Sequence, residues 1–313
     1  MSKTWLLLLV LVLVLPTPVI ADDALPIIDV HLHVYDDSVL PMPPHPTRPR
    51  QISSVMYQDA LIDVTIKQLD ANNVVLALLH DTPVNIERLQ KTDPDRFLAF
   101  PRVGGRFQDG SLKGEPSPED FENHLRHGEW SGIGEIATVY NGLGPTNPAL
   151  RPYYEMANRY GIPVFWHSGT RPRMTLAQPE FRAEIGRPTH WEDIFVEFPN
   201  IRPVLLHAGH PFRDDIVAVM ITYPWVYVDT GPFGHVLTPD QFYSYFGYLI
   251  ELGLGDRIMF GSDQMGWPAG IGVAIEVLKN APWDDKIKRN ILYNNAARFL
   301  GLSESQINSH HDN

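Results

Sequence analysis

The chain has 313 residues, 44% of them hydrophobic, and carries a formal charge of −12. That composition suits one large globular domain or two small ones, and the acidic balance argues against nucleic acid and anionic lipid as partners. There is no cysteine, so no disulfide holds the fold, no thiolate serves as nucleophile, and any metal site must be built from His, Asp and Glu.

In chain order, Lys3 gives a short positive start and Leu6 to Leu15 an unbroken apolar run. Pro16 and Pro18 interrupt it, and Val19-Ile20-Ala21 follows with small or apolar residues. This pattern predicts a signal peptide, residues 1–21, cleaved near Ala21. The run is short against the roughly 20 residues of a comfortable membrane span. A retained anchor is the alternative; the expectation is an exported protein, periplasmic or extracellular, with no membrane association after cleavage.

Residues 22–302 then read as one domain. Short apolar runs predict strands at Ile27–His33, Val74–His80, Phe97–Val103, Gly132–Ala137, Pro163–His167, Arg202–His207, Trp225–Asp229 and Arg257–Gly261, as expected of parallel strands buried on both faces. Helical periodicity lies between and after them, at Asp59 to Asn72, Pro148 to Tyr160, Asp240 to Leu252 and Trp283 to Leu300, with Gly161 and Gly301 as stops. Eight strands alternating with helices predict a (β/α)₈ TIM barrel in a single domain, which needs about 250 residues. A doubly wound open sheet is the alternative, but no G-x-G-x-x-G follows the first strand. Two long loops follow strands: the proline-rich Tyr35 to Gln58, and Gly169 to Thr189 with Arg171, Arg173, Arg182 and Arg187. Residues 303–313 read as a flexible tail.

The strand ends carry the chemistry. The first ends in His31-Leu32-His33, whose histidines face one way by strand alternation. The fourth ends near Glu135, the fifth at His167, the sixth at His207 and the eighth at Asp263. In a barrel all of these open onto the catalytic face. Imidazole and carboxylate suit zinc, manganese, iron or nickel, and burying these groups without a cation would leave carboxylates desolvated. For Glu135 a pairing with Arg102 or another base is the alternative. His80, Arg102, Tyr140, Arg171, His210 and Trp267 sit at or just past strand ends as candidate substrate contacts. His124, His127, His310 and His311 read as solvated or tail residues.

The ordered series resembles the amidohydrolase superfamily, in particular its amidohydrolase-related branch. The residues that carry the resemblance are Ile28-Asp29-Val30-His31-Leu32-His33; Arg187-Pro188-Thr189-His190-Trp191 with Phe198-Pro199-Asn200; His207-Ala208-Gly209-His210-Pro211; Tyr227-Val228-Asp229-Thr230; Ile258-Met259-Phe260-Gly261-Ser262-Asp263; and Asn295-Ala296-Ala297-Arg298. The resemblance implies that His31 and His33 bind a first metal. It implies that His167 and His207 bind a second, or that one of them, such as His207, assists the substrate in one-metal members. Asp263 would ligate and take the proton from the attacking water, and Glu135 would bridge two metals. The expectation is a hydrolase of an amide, ester, lactone or phosphoester, holding one or two divalent ions, zinc first among them. A one-metal decarboxylase of an aromatic or unsaturated acid is the runner-up, and a binding protein that has lost catalysis is the third reading. The partner is a small molecule, and homo-oligomer formation stays open.

Overall fold

The computed structural model describes residues 25–104, 116–170 and 180–312. The expected leader, Arg171 and Arg173 lie outside the described residues. All eight expected strands are present: β1 (Ile27–Leu32), β2 (Val74–Leu79), β3 (Phe97–Ala99), β4 (Ile133–Ile136), β5 (Pro163–His167), β6 (Arg202–Leu206), β7 (Tyr227–Asp229) and β8 (Ile258–Met259). Neighbours pair in parallel as β1-β2-β3 and as β4 through β8. Backbone bonds close both seams. Val30 N–H donates to the Phe260 carbonyl (2.9 Å) and Asp263 N–H to the His31 carbonyl (2.8 Å), joining β1 to β8. Ser131 N–H donates to Ala99 (2.9 Å) and Gly134 N–H to Pro101 (3.1 Å), joining β3 to β4, where Val103 also bridges Ile136. The result is a closed TIM barrel, with no free sheet edge at either seam.

Two apolar layers hold it. The outer one lies between strands and helices and includes Ile27, Leu32, Ala77, Leu79, Val164, Trp166, Leu205 and Val228. The inner one fills the barrel with Ile28, Val30, Leu76, Leu78, Phe100, Phe165, Val204 and Met259. Phe299, on the helix Asn295–Leu300, closes the far end, its ring 6.1 Å from that of Phe165. Strand alternation alone would put Leu32 on the side of Ile28 and Val30. It packs outward instead because the register of β1 slips between Asp29 and Leu32. That slip turns His31 and His33 inward above Ile28 and Val30, as a bulge re-aims side chains at a barrel rim.

The predicted helices occur at Gln58–Ala71, Arg151–Tyr160 and Pro239–Glu251. The last long one is divided into Asp285–Arg289, a π turn over Asn290–Asn294, and Asn295–Leu300. Gly161 and Gly301 terminate their helices at φ 63° and 70°, the left-handed region that glycine enters without penalty. The terminal segment, expected as a tail, instead forms a helix over Glu304–Asp312. Its start is a reciprocal cap: Gln306 N–H donates to Ser303 Oγ (3.3 Å) and Ser303 N–H to Gln306 Oε1 (3.0 Å). Ile307 packs on the inner cluster, and His310, expected to be solvated, has Nδ1 2.9 Å from the Tyr293 hydroxyl. No helix among the described residues is long and apolar enough to cross a membrane.

Candidate metal centre

Six of the side chains singled out from sequence meet at one end of the barrel. His31 Nε2 lies 3.2 Å from His33 Nε2; Asp263 Oδ1 lies 3.2 Å from His33 Nε2 and 3.7 Å from His31 Nε2. Beside this triad stands a second one. Glu135 Oε1 is 2.7 Å from His167 Nδ1 and 3.4 Å from His207 Nε2, and those two ring nitrogens are 2.9 Å apart. The other Glu135 oxygen, Oε2, lies 3.8 Å from His33 Nε2, so one carboxylate faces both groups. Glu135 thus pairs with histidines rather than with Arg102. A third group, His31, His207 and Asp229, also has donor atoms within 4.8 Å of one another.

Hydrogen bonds behind the rings decide which nitrogens face the centre. His33 Nδ1–H donates to the His80 carbonyl (2.6 Å) and His207 Nδ1–H to the Gly231 carbonyl (2.6 Å). His31 Nδ1–H donates to Asp229 Oδ2 (2.9 Å). A carbonyl can only accept, so His33 and His207 are fixed in the Nδ1–H tautomer, and the Asp229 carboxylate fixes His31 in the same way. Their Nε2 atoms then present lone pairs. Two such lone pairs meet 3.2 Å apart beside a carboxylate, an arrangement that repels unless a cation or protons lie between them. The spacing is close to the roughly 3.3 Å edge of a tetrahedron of ligands about 2.0–2.1 Å from a zinc ion. The donor set therefore fits a divalent metal, with a second row of hydrogen bonds orienting the ligands.

In the metal-free protein, protons take over that role. Burial opposes charge on His33, but the hydrogen bond and charge of Asp263, with Glu135 behind, raise it to about 9. Burial likewise opposes charge on His207, yet Glu135, Asp263 and Asp229 raise it to about 9. Burial also works against ionised Asp263, but His31, His33 and His207 outweigh it and bring the carboxyl down to about 2. Glu135, equally buried, is held well below the usual carboxylate range by its bonds to His167 and His207. His167 goes the other way: desolvation and the neighbouring His207 charge lower it to about 4.

The backbone bends to make this possible. His207 and Asp263 adopt φ of 63° and 44°, in a region that costs non-glycine residues about 1–3 kcal/mol. Asp229 offsets part of that cost at the first by accepting the His207 N–H on Oδ1, and the His31 carbonyl does so at the second. A Cβ on Gly261 would lie 2.3 Å from Asp229 Oδ2 and 2.8 Å from His31 Cβ, so this glycine makes room for their pair. Asp229 is one residue of the site to which the sequence assigns no role; the signal available is an aspartate ending the seventh strand.

The expected substrate contacts fare unevenly. Tyr140, on the short helix Thr138–Asn141, brings its hydroxyl to 2.8 Å from His167 Nδ1. Arg102 follows β3 on the inward side. His80 is corrected: it is fully buried beneath the triads, donates from Nε2 to the Val30 carbonyl (2.8 Å), and packs on Phe100 and Phe165. It serves the site through its own carbonyl, under His33. Gly134 leaves space for it, since a Cβ there would stand 2.8 Å from His80 Nδ1. His210 is displaced into a neighbouring cleft with Arg187, Phe212 and Tyr245, its ring against Phe233 and Tyr245. Trp267 is also corrected: it is 6% exposed and donates from Nε1 to the Pro43 carbonyl (3.1 Å). It pins the proline-rich loop. In the same loop, buried His45 donates from Nε2 to His235 Nδ1 (2.9 Å), and His235 donates to the Ser262 carbonyl (3.1 Å). Neither of these histidines stood out in the sequence, because neither ends a strand. Tyr35, also missed, stacks its ring on His33 with centroids 4.9 Å apart.

Comparison with known proteins agrees with this architecture. The amidohydrolase family model matches residues 28–302, and the chain belongs to that family, in its amidohydrolase-2 branch. An uncharacterised TIM-barrel protein from Bordetella bronchiseptica superposes with a TM-score of 0.56 at 18% identity, covering 91% of this chain and 100% of that one. A probable 2-pyrone-4,6-dicarboxylic acid hydrolase from Acinetobacter baumannii, with citric acid bound, gives 0.60 at 14% identity over 89% and 100%. A dihydroxybenzoic acid decarboxylase from Polaromonas sp. JS666, with bound manganese and 2-nitroresorcinol, gives 0.57 at 14% over 89% and 97%. At these identities the likeness establishes the fold. No curated protein matches the chain. The chain is an enzyme of a superfamily that includes both hydrolases and decarboxylases, and its buried His, Asp and Glu groups can hold a metal ion.

Proposed function

We propose that this protein is a hydrolase using two divalent ions on a small amide, ester, lactone or phosphoester. The observation that carries the reading is the position of Glu135, with one carboxylate oxygen 2.7 Å from His167 and the other 3.8 Å from His33. A carboxylate so placed suits a bridge between neighbouring cation sites. His31, His33 and Asp263 would hold one ion, and Glu135, His167 and His207 the other. Four of the six donors are imidazoles, and zinc is the ion we propose. Such ions supply Lewis acidity, lowering the pKa of a water toward about 7 and polarising the substrate oxygen.

The chain's own groups do the rest. Asp263 is buried and ionised, with Oδ1 toward His33 and Oδ2 3.9 Å from His207 Nδ1. It accepts the proton of the attacking water and returns it to the leaving group. Asp229 holds His31 in the tautomer that offers Nε2. The Tyr140 hydroxyl stands beside the second triad as a donor for developing negative charge.

The triad of His31, His33 and Asp263 is complete without Glu135, and several structural neighbours are decarboxylases, one of them with bound manganese. A one-ion lyase acting on an aromatic or unsaturated acid is therefore the competing reading. Metal-reconstituted protein incubated with lactones, esters, amides and phosphoesters, and separately with hydroxybenzoates, distinguishes the two. Hydrolysis without CO₂ release is expected; CO₂ release from a hydroxybenzoate with no hydrolysis would reverse the assignment. Export, which the apolar leader supports, is tested by the N-terminal residue of protein recovered outside the cytoplasm.

A further inference from the structure

Asp263 stands beyond the last strand. β8 ends at Met259, and the turn that follows puts Asp263 at φ 44°, a conformation that persists only where its surroundings fix it. The N–H side of this turn is held by β1: Asp263 N–H donates to the His31 carbonyl (2.8 Å) and Ser262 N–H to Asp29 Oδ1 (2.9 Å). The carbonyl side is held from elsewhere. His235, on the short helix Phe233–Val236, brings Nε2 to 3.1 Å from the Ser262 carbonyl and 3.4 Å from that of Asp263.

His235 is in turn set by the proline-rich loop. His45 Nε2 lies 2.9 Å from His235 Nδ1, and His45 Nδ1 accepts the backbone N–H of Arg48 (3.0 Å). A backbone N–H can only donate and a carbonyl can only accept, so the two ends of this chain dictate every proton between them. His45 and His235 each carry one proton, on Nε2, and all four ring nitrogens are engaged. The rings are buried, so a missing link would leave a polar atom unpaired out of reach of water. The packing is fitted to them. Gly270 admits the His235 ring, since a Cβ there would lie 3.1 Å from its Cγ, and the side chains of Thr47 and Arg48 donate to the His235 carbonyl. The loop is fastened without the histidines, by Trp267 on the Pro43 carbonyl and by Val55 N–H on the Gly266 carbonyl (3.1 Å). What the histidines add is a donor aimed at the Ser262–Asp263 turn.

We infer that His45 and His235 are positioning residues for Asp263, carrying the order of the proline-rich loop to the turn that aims this carboxylate at His31 and His33. The inference rests on the reading of Asp263 as a metal ligand, and it holds for a hydrolase and a lyase alike.

Cobalt(II) loaded into the metal-free full-length protein tests this, because its visible absorption bands follow ligand geometry and its affinity is read by competition with a chelator. His235→Phe keeps a ring and removes the donor; it is expected to weaken the tighter cobalt ion about 10-fold and to shift its bands. His45→Phe should act in the same direction. His45→Gln, whose amide can both accept from Arg48 and donate to His235, should return both readouts toward wild type. Ser54→Ala, which removes the Met42 N–H···Oγ bond (2.9 Å) inside the loop, should leave both unchanged. Wild-type bands and affinity in His235→Phe, equal effects of His45→Phe and His45→Gln, or a Ser54→Ala shift as large as that of His235→Phe would overturn the inference. Should His235→Phe fail to fold, the two His45 variants carry the test. Asp263→Asn separates the premise: bands that it leaves unmoved defeat the ligand reading, whereas bands moved by Asp263→Asn and not by His235→Phe defeat the relay alone.

Discussion

The two donor triads differ in how firmly the fold holds them. In the first, every member is anchored from behind: His31 on Asp229, His33 on the His80 carbonyl, and Asp263 through its N–H on the His31 carbonyl. Gln264 adds a clamp, accepting the His33 N–H (3.1 Å) and donating to the His33 carbonyl (2.6 Å). In the second, His207 is anchored on Gly231, but His167 is not. Its Nε2 is buried without a partner, and its Nδ1 is shared among Glu135, Tyr140 and His207. Preorganised ligands lose less on binding an ion than ligands that must settle. The first triad should therefore bind its cation tightly and the second more weakly.

The largest effect should come from the residue proposed to ligate and to move the proton. Asp263→Asn is expected to lower kcat by about 10³-fold, measured at matched metal content; a loss under tenfold would remove Asp263 from the chemistry. Next is the anchor behind the first triad. Asp229→Asn should weaken the tighter ion by about 10- to 100-fold, read by competition with a chromogenic chelator, while the weaker ion changes little. The contrast itself predicts two-step metal loss against rising chelator. His167→Ala should abolish only the weaker step, and a single step in wild type would break the comparison.

Acidity gives a smaller, signed effect. His33 and His207 stand at about 9 in the metal-free fold, above the roughly 6.5 of an unfolded histidine. Their stabilisation is full below about 6.5 and is lost as pH rises through about 9. Asp263 at about 2, and Glu135 well below its usual range, contribute above about pH 4 and lose that contribution as pH falls toward 2. Metal-free protein should thus lose melting temperature between pH 7 and 10 more steeply than metal-loaded protein, in which ions replace the protons. Parallel curves would show that the histidines are not charged by this cluster. Smallest of all, Ser303→Ala should remove about 1 kcal/mol from the terminal helix cap and leave kcat untouched.

Much of this was legible in the chain. The strands are continuous apolar runs, and imidazole or carboxylate side chains stand at the ends of several, so period and position sufficed for the barrel and for the meeting of His31, His33, Glu135, His167, His207 and Asp263 at one end of it. What alternation could not supply was the slip in β1, because a register shift depends on the neighbouring strand. His80 looked like a substrate contact because it ends β2, yet the packing of Phe100 and Phe165 holds it one layer lower. Trp267 and His45 meet across more than two hundred residues (ring centroids 5.1 Å apart), a pairing that no local pattern encodes. The terminal helix was missed because its cap, Ser303 with Gln306, precedes a short polar segment whose one apolar anchor is Ile307.

The most direct measurement is the number of zinc ions bound per chain after reconstitution, by elemental analysis of wild type and Glu135→Gln side by side. The account predicts close to two in wild type and close to one in the variant. One ion in both proteins, or none in wild type, would contradict it.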